Sequence, residues 1–293
     1  MRLRISLVLA VVLAASVLAG CTTSTLTSGP TASAPTPATV TPAPTGTPVH
    51  APAGQPIEFN VYFSYHERMQ PAPRTAPAGT KAVLRAALEA LLKGPSADEK
   101  ADGLSTQVPS GTGLLGVTVN ANVAVVDLSG TFDSGGGTLS MTNRLAQVVF
   151  TATQFPGVDA VTFKIRGKTV KVFGGEGIII DRPQTRRAFE DASQAILVER
   201  PAWRGTLSGG TVIRGSANVF EAVFRLQVRD ASRKLVMDRR VQASSGTGTR
   251  GTWRVAASLG GAAAGTGSLR VFAESAKDGR PVDVVTVPVV LRP

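Results

Sequence analysis

Apolar and polar residues alternate along Ile57-Glu58-Phe59-Asn60-Val61-Tyr62-Phe63, the period of a half-buried strand. A Pro-rich loop is expected next, from Pro71 to Gly79. The period then changes. Val83, Leu84, Ala87, Leu88, Leu91 and Leu92 recur at the spacings of a helix stripe, which Gly94-Pro95 brings to an end. Leu114 to Val119 and Val123 to Leu128 are β-rich runs joined at Asn120-Ala121-Asn122, a predicted hairpin. A second helix is predicted from near Leu139, burying Leu145, Val148, Val149, Ala152 and Phe155 and ending before Pro156-Gly157. Val161 to Ile165 and Val170 to Phe173 make a further hairpin across Arg166-Gly167-Lys168. The order β-α-β-β-α-β-β predicts a two-layer α/β domain over residues 57–182, its helices on one sheet face.

From residue 195 onward the pattern is entirely β. Seven runs begin near Ile196, Thr211, Ala222, Lys234, Thr252, Leu269 and Val284, with turn residues between them. That count over about 100 residues predicts an all-β immunoglobulin-like sandwich spanning 195–293. Ala222, Phe224, Leu226 and Val228 should point inward, with Trp253 and Val255 opposite. Cys21 is the only cysteine, so packing alone must hold the two sheets together.

Several phrases in the first domain resemble the GerMN domain of sporulation and germination proteins. They are Ala87-Leu88-Glu89-Ala90-Leu91-Leu92-Lys93-Gly94-Pro95, the Val108-Pro109-Ser110-Gly111-Thr112 turn, Val125-Val126-Asp127-Leu128-Ser129, and the run Gln147 to Gly157 followed by Val158 and Val161. The second domain resembles the immunoglobulin-like domain of bacterial spore germination proteins. The carrying residues are Val198-Glu199-Arg200-Pro201, Gly215-Ser216-Ala217-Asn218-Val219-Phe220-Glu221 and Val287-Pro288-Val289-Val290-Leu291. The resemblance implies both folds and a cell-envelope setting linked to sporulation, germination or septal wall assembly; it implies no settled reaction.

The N-terminus bears on where the protein works. Arg2 and Arg4 precede a run of 15 residues, Ile5 to Ala19, that is apolar except for Ser6 and Ser16. It is shorter than the roughly 20 residues needed to span a bilayer, and its charged start and small-residue end are those of a signal peptide over residues 1–20. Leu18-Ala19-Gly20-Cys21 resembles the lipobox of bacterial lipoproteins at all four positions, which implies that Cys21 carries lipid. Two or more acyl chains anchor stably where one does so only marginally. The expected location is therefore the extracytoplasmic face of the cell membrane. Thr22 to Pro56 holds eight prolines, ten threonines and no charged side chain. Such a segment reads as a tether, on the order of 100 Å long if straight, or as a spacer with no geometric purpose.

Charge is unevenly distributed. Residues 57–182 are net +1 and residues 183–293 net +8, out of +11 for the whole chain. With the strand phases above, Arg225 and Arg229 share one outward face, and Arg254 and Arg270 also point outward. Guanidinium forks suit phosphate and carboxylate, so an anionic wall polymer or an envelope protein is the expected partner. A surface that merely aids solubility is the competing reading. Nucleic acid is not expected, since an exported lipoprotein does not ordinarily meet it.

Catalytic candidates are few. Only two histidines occur, His50 in the tether and His66 in the loop after the first strand, and neither is placed to act as a rigid general base. No cofactor or metal site is expected. Gly111 to Gly116 and Gly246 to Gly251 match G-x-G-x-x-G, but each precedes a β-patterned run instead of the helix N-terminus that phosphate binding needs. Asp127 and Asp133 precede the Gly-rich loop Ser134 to Gly137 and are the one conceivable carboxylate pair, better read as turn and cap residues. These observations favour a non-enzymatic binding or scaffold lipoprotein. The alternatives are a regulatory lipoprotein acting on a membrane sensor and, third, a wall-acting hydrolase.

Overall fold

A computed structural model describes residues 54–293; the expected signal peptide, Cys21, His50 and nearly all of the tether lie outside the described residues. Strands β1 (Ile57–Tyr65) and β2 (Arg68–Ala76) form an antiparallel hairpin, turned at His66 and Glu67 with φ of 49° and 63°. Much of the expected Pro-rich loop is therefore strand. The reason lies in the register: Pro71 stands opposite Tyr62 and Pro73 opposite Asn60. At those two positions the β1 backbone turns away from β2, Tyr62 N–H donating to Thr151 Oγ1 at 3.1 Å and Asn60 N–H to Gln154 Oε1 at 2.7 Å. A proline there removes no ladder bond, which is the condition under which strands tolerate it.

Helix α1 (Val83–Leu92) buries Ala87, Leu88 and Leu91. A one-turn helix not expected from the periodicity, α2 (Ala97–Ala101), is held by a capping box between Ser96 and Glu99. Strands β3 (Leu114–Asn120) and β4 (Val123–Leu128) close through Ala121 and Asn122, whose φ of 46° and 63° give the twist a two-residue hairpin favours. Helix α3 (Thr138–Ala152) precedes β5 (Ala160–Ile165) and β6 (Lys168–Thr169), and the four strands lie in the order β3-β4-β5-β6. The expected Val170–Phe173 strand leaves the sheet. Its end, β7 (Val172–Phe173), pairs with β8 (Ile178–Ile179) in a separate small ribbon. Eleven of the 15 residues of α3 are buried, and the helix packs against β1, β2, β5, β8 and α1. It therefore runs through the middle of this half, with strands on several sides of it.

The second half contains eight strands: β9 (Ile196–Arg200), β10 (Thr206–Ser208), β11 (Val212–Ala217), β12 (Val223–Arg229), β13 (Leu235–Gln242), β14 (Gly251–Ala256), β15 (Gly265–Glu274) and β16 (Pro281–Arg292). The strand beyond the expected seven is the three-residue β10, which pairs parallel to β16. One sheet runs β10-β16-β15-β12-β13, the other β14-β11-β9. Phe224, Leu226 and Val228 are buried as expected, and the Phe224 ring meets Trp253 edge-on at 5.2 Å. Val255 is half-buried. Gly215 makes room for that tryptophan, because a Cβ there would overlap the Leu197 carbonyl and press on the indole.

The two halves belong to one compact unit with a continuous apolar core, running from Phe59 in β1 to Leu291 in β16. Residues 183–194, between the two expected domains, include a 3-10 segment, Arg186–Ala192, that packs against α3 and β2. No helix among the described residues is long and apolar enough to cross a membrane.

Candidate functional site

Alternation in β12 turns Arg225, Gln227 and Arg229 outward while Phe224, Leu226 and Val228 fill the core. Cross-strand register extends that outer face on both sides. Arg225 stands opposite Arg240 of β13, and Gln227 opposite both Asp238 of β13 and Arg270 of β15. The face thus holds four arginines, one acid near its centre, and a second, Glu274 of β15, close enough to act on Arg225. Arg225 is spent on the central acid: its Nη2 donates to Asp238 Oδ2 at 2.7 Å, and Gln227 donates to the same oxygen at 3.0 Å. Those hydrogen bonds outweigh the effect of burial and hold the Asp238 carboxyl below the usual carboxylate range. Arg229 is exposed and, among the described residues, donates only to the Arg233 carbonyl at 3.0 Å. Arg270 lies over the Phe272 ring at 4.6 Å, which leaves its donors outward.

Of the four arginines expected outward, Arg225, Arg229 and Arg270 are brought together on the five-stranded sheet. Arg254 is not with them. It is exposed on β14, in the three-stranded sheet, and so belongs to the opposite side of the sandwich. Arg240 is absent from the sequence expectation, which carries no strand phase for Lys234–Gln242; the alternation of buried Met237 and Val241 fixes it.

The acids considered for chemistry serve the backbone. Asp127 Oδ1 accepts the Gly167 N–H at 3.0 Å and Asp133 Oδ1 the Gly174 N–H at 2.8 Å. His66 sits in the β1–β2 turn against the Tyr65 ring at 4.3 Å. Among the described residues no group of three or more His, Cys, Asp or Glu side chains is arranged to hold a metal.

A second constellation, not foreseen from the sequence, lies where the two halves meet. Tyr62 of β1 donates from Oη to Glu199 Oε1 of β9 at 2.7 Å, and Arg186 Nη1 reaches the same oxygen at 2.6 Å. Arg186 also donates to Thr153 Oγ1 and to the Phe150 carbonyl, with its guanidinium over the Tyr62 and Phe150 rings at 5.1 and 4.8 Å. Burial alone would raise the Glu199 carboxyl; the Arg186 charge and the two hydrogen bonds bring it below its ordinary value. Burial pushes the Tyr62 phenol well above its own. Around this centre Asp102 accepts from Arg204 and from Trp203 Nε1 (3.0 Å), and Arg250 forks onto Glu190. The Arg204 and Trp203 hydrogen bonds lower the Asp102 carboxyl. For Glu190, burial raises the carboxyl but the Arg250 and Asn218 bonds win.

Residues 60–171 match the family described as sporulation and spore germination, and residues 195–280 match the immunoglobulin-like domain of bacterial spore germination. The chain joins a GerMN domain to an immunoglobulin-like germination domain. Solved structures similar to it include the tandem GerMN domains of the sporulation protein GerM from Bacillus subtilis (16% identity, 81% of this chain and 61% of that one, TM-score 0.40). The first GerMN domain of the same protein aligns at 20% identity over 45% of this chain and 98% of that one, TM-score 0.36. A candidate lipoprotein from Clostridium perfringens aligns at 20% identity over 45% of this chain and 89% of that one, TM-score 0.34. No curated protein sequence matches the chain.

In these terms, the interface constellation ties β1 of the GerMN domain to β9 of the immunoglobulin-like domain, while the open arginines belong to the immunoglobulin-like domain alone. The arginine face runs into a shallow cleft of about 620 Å³ lined by Arg229, Asp230, Arg233, Thr266 and Ser268 among others. Asp230 is buried in that cleft and engaged by the chain itself. Its Oδ1 takes the N–H groups of Ser232 and Lys234 and its Oδ2 that of Ala263. Two guanidinium groups and two hydroxyls outweigh that one buried carboxylate in charge and donors, an arrangement that can bind an anion.

Proposed function

We propose that the chain is a non-enzymatic, lipid-anchored scaffold on the outer face of the cell membrane, serving a sporulation- or germination-linked envelope process by holding anionic wall polymer. Cys21 carries the anchor, and the outer face of the five-stranded sheet carries the polymer. The supporting observation is that Arg229, Arg240 and Arg270 share one sheet face without an ion-pair partner among the described residues, whereas Arg225 on the same face is neutralised by Asp238. A repeating polyanion matches a row of such forks better than a single small ligand does, since each added phosphate or carboxylate meets another guanidinium.

The test is co-sedimentation of the full mature chain with purified cell wall across a salt series. Retention should fall as salt screens exposed charges, and each of Arg229→Ser, Arg240→Ser and Arg270→Ser should weaken it by about fivefold, the effect of roughly 1 kcal/mol per arginine near an anionic surface. Retention that ignores both salt and all three substitutions would remove the polymer role. The anchor is tested separately: mass spectrometry should find a diacylglyceryl-modified Cys21, and Cys21→Ala should release the chain from membranes.

A further inference from the structure

A strand at the edge of a sheet presents unpaired N–H and C=O groups, and proteins usually blunt such edges with charge, proline, shortness or a covering element. Nearly every free edge here follows that rule. On β1 it is covered by Gln147, Thr151 and Gln154, and on β2 it carries Pro71 and Pro73. β13 carries Asp238, Arg239 and Arg240, β14 carries Arg254, and β9 carries Glu199 and Arg200. β6 and β10 are two and three residues long.

The exception is β3, whose one bulge, at Leu115, lies outside its regular Gly116–Asn120 run. Its sequence, Leu114-Leu115-Gly116-Val117-Thr118-Val119-Asn120, has no charge and no proline, and Leu115 and Val119 are 55% and 44% exposed. The two-residue turn at Ala121-Asn122 makes Asn120–Val123 a hydrogen-bonded pair, and with it Thr118–Val125 and Gly116–Asp127. Val117 and Val119 therefore aim their backbone groups away from the sheet, and among the described residues nothing bonds to them.

The geometry points to a second copy of this chain as the occupant, paired through β3 in antiparallel fashion about a two-fold axis at Thr118. In that register Val117 bonds to the partner's Val119 and Val119 to the partner's Val117, so both outward residues of each copy are satisfied. An uncharged strand offers a heterologous partner no charge code, but it meets its own copy without repulsion. Residues 57–182 are net +1, while the +8 of residues 183–293 lies in the other domain. A strand pair this short buries less than the roughly 1,200 Å² of a stable complex, so it forms where copies are concentrated on one surface. In that respect the inference rests on the anchor proposed above; the uncharged segment between Cys21 and β1 is long enough for two anchored copies to meet in this orientation.

The test is disulfide trapping of the full chain in lipid vesicles. Thr118→Cys places two thiols in a non-hydrogen-bonded pair, about 4.5 Å apart between Cα atoms and within disulfide reach. Asn120→Cys, on the same sheet face, puts its two thiols about 13 Å apart along the strands, beyond reach. The expected result is a trapped pair for Thr118→Cys at least tenfold above Asn120→Cys, abolished by adding Val117→Pro. That proline removes an N–H the chain's own sheet does not use; Val119→Lys serves the same purpose should Val117→Pro not fold. The parent chain is oxidised alongside, so a free Cys21 thiol shows itself as its own crosslink or as chain lost from the vesicles. If the anchor fails in that way, sedimentation equilibrium of concentrated Cys21→Ala chain, with and without Val119→Lys, decides the pairing independently. Equal trapping at residues 118 and 120, trapping that survives both edge variants, or Thr118→Cys linked to a different protein would each overturn the inference.

Discussion

Arginines are used in two ways in this molecule, and the contrast between the domain junction and the outer sheet face separates them. At the junction, Arg186 has six hydrogen bonds or ring contacts and Arg250 forks onto Glu190 while also donating to Gln194 and Ser216. Inside the GerMN domain Arg144 behaves in the same way, donating to the carbonyls of Gln107, Phe132, Ser134 and Gly135. On the sheet face, Arg229 meets one carbonyl and Arg240 has no partner among the described residues. The net +8 over residues 183–293 already counts the Arg186–Glu199 and Arg250–Glu190 pairs as neutral, and only Arg204, paired with Asp102 of the GerMN domain, is withdrawn from it by the junction.

The largest effect that breaks the contrast should come from Arg186. Replacing it with Met leaves Glu199 and Tyr62 beside each other without a countercharge, and breaking a buried pair by removing one partner costs about 3 kcal/mol, toward the low end because each side chain is about a quarter exposed. Chemical denaturation should show the loss. Adding Glu199→Gln should recover part of it in a double-mutant cycle. Arg144→Met should follow at about 2 kcal/mol, since four carbonyls lose a charged donor, with protection of the Ser134–Gly137 loop lost in hydrogen exchange. Arg229→Met should leave stability unchanged within about 0.5 kcal/mol.

Acid sharpens the same contrast. Glu199, Glu190 and Asp102 all titrate below their ordinary values in the folded chain. Groups depressed on folding contribute stability that is complete above the unfolded value, near 4, and that disappears as pH falls through the folded one. The melting temperature should therefore hold from neutral pH to about 4.5 and drop below it, and Glu199→Gln should flatten part of that drop. A melting curve that fell between pH 8 and 6 instead would point to some other group.

Much of the fold was legible from periodicity, because Leu88, Leu91, Val148, Phe224 and Leu226 are core residues of long elements with a single dominant period. The β2 strand was not, since Pro71 and Pro73 signal a loop unless it is known that the opposing backbone faces away. Nor was the junction: Tyr62 and Glu199 are 137 residues apart, and no local pattern pairs them. Arg254 was placed outward from β14 alone, but the sheet to which a strand belongs is a matter of topology. Arg240 needed only the phase of β13, and a buried Met237–Val241 spacing in the sequence carried that signal.

The smallest expected effect separates the two classes of arginine on the sheet face itself. Arg225 and Arg270 both belong to it, yet Arg225 is neutralised by Asp238 whereas Arg270 only rests on Phe272. Asp238→Asn removes the countercharge without changing shape, and so frees Arg225 while leaving Arg270 as it was. If the face works by unpaired guanidinium groups, that single change should strengthen wall retention by a few-fold, the size expected for one more exposed cation, and steepen its salt dependence. Arg225→Ser in the Asp238→Asn background should return retention to the starting value. An Asp238→Asn chain that binds no better than its parent would mean that the pairing of Arg225 is incidental and that the count of free arginines does not set affinity.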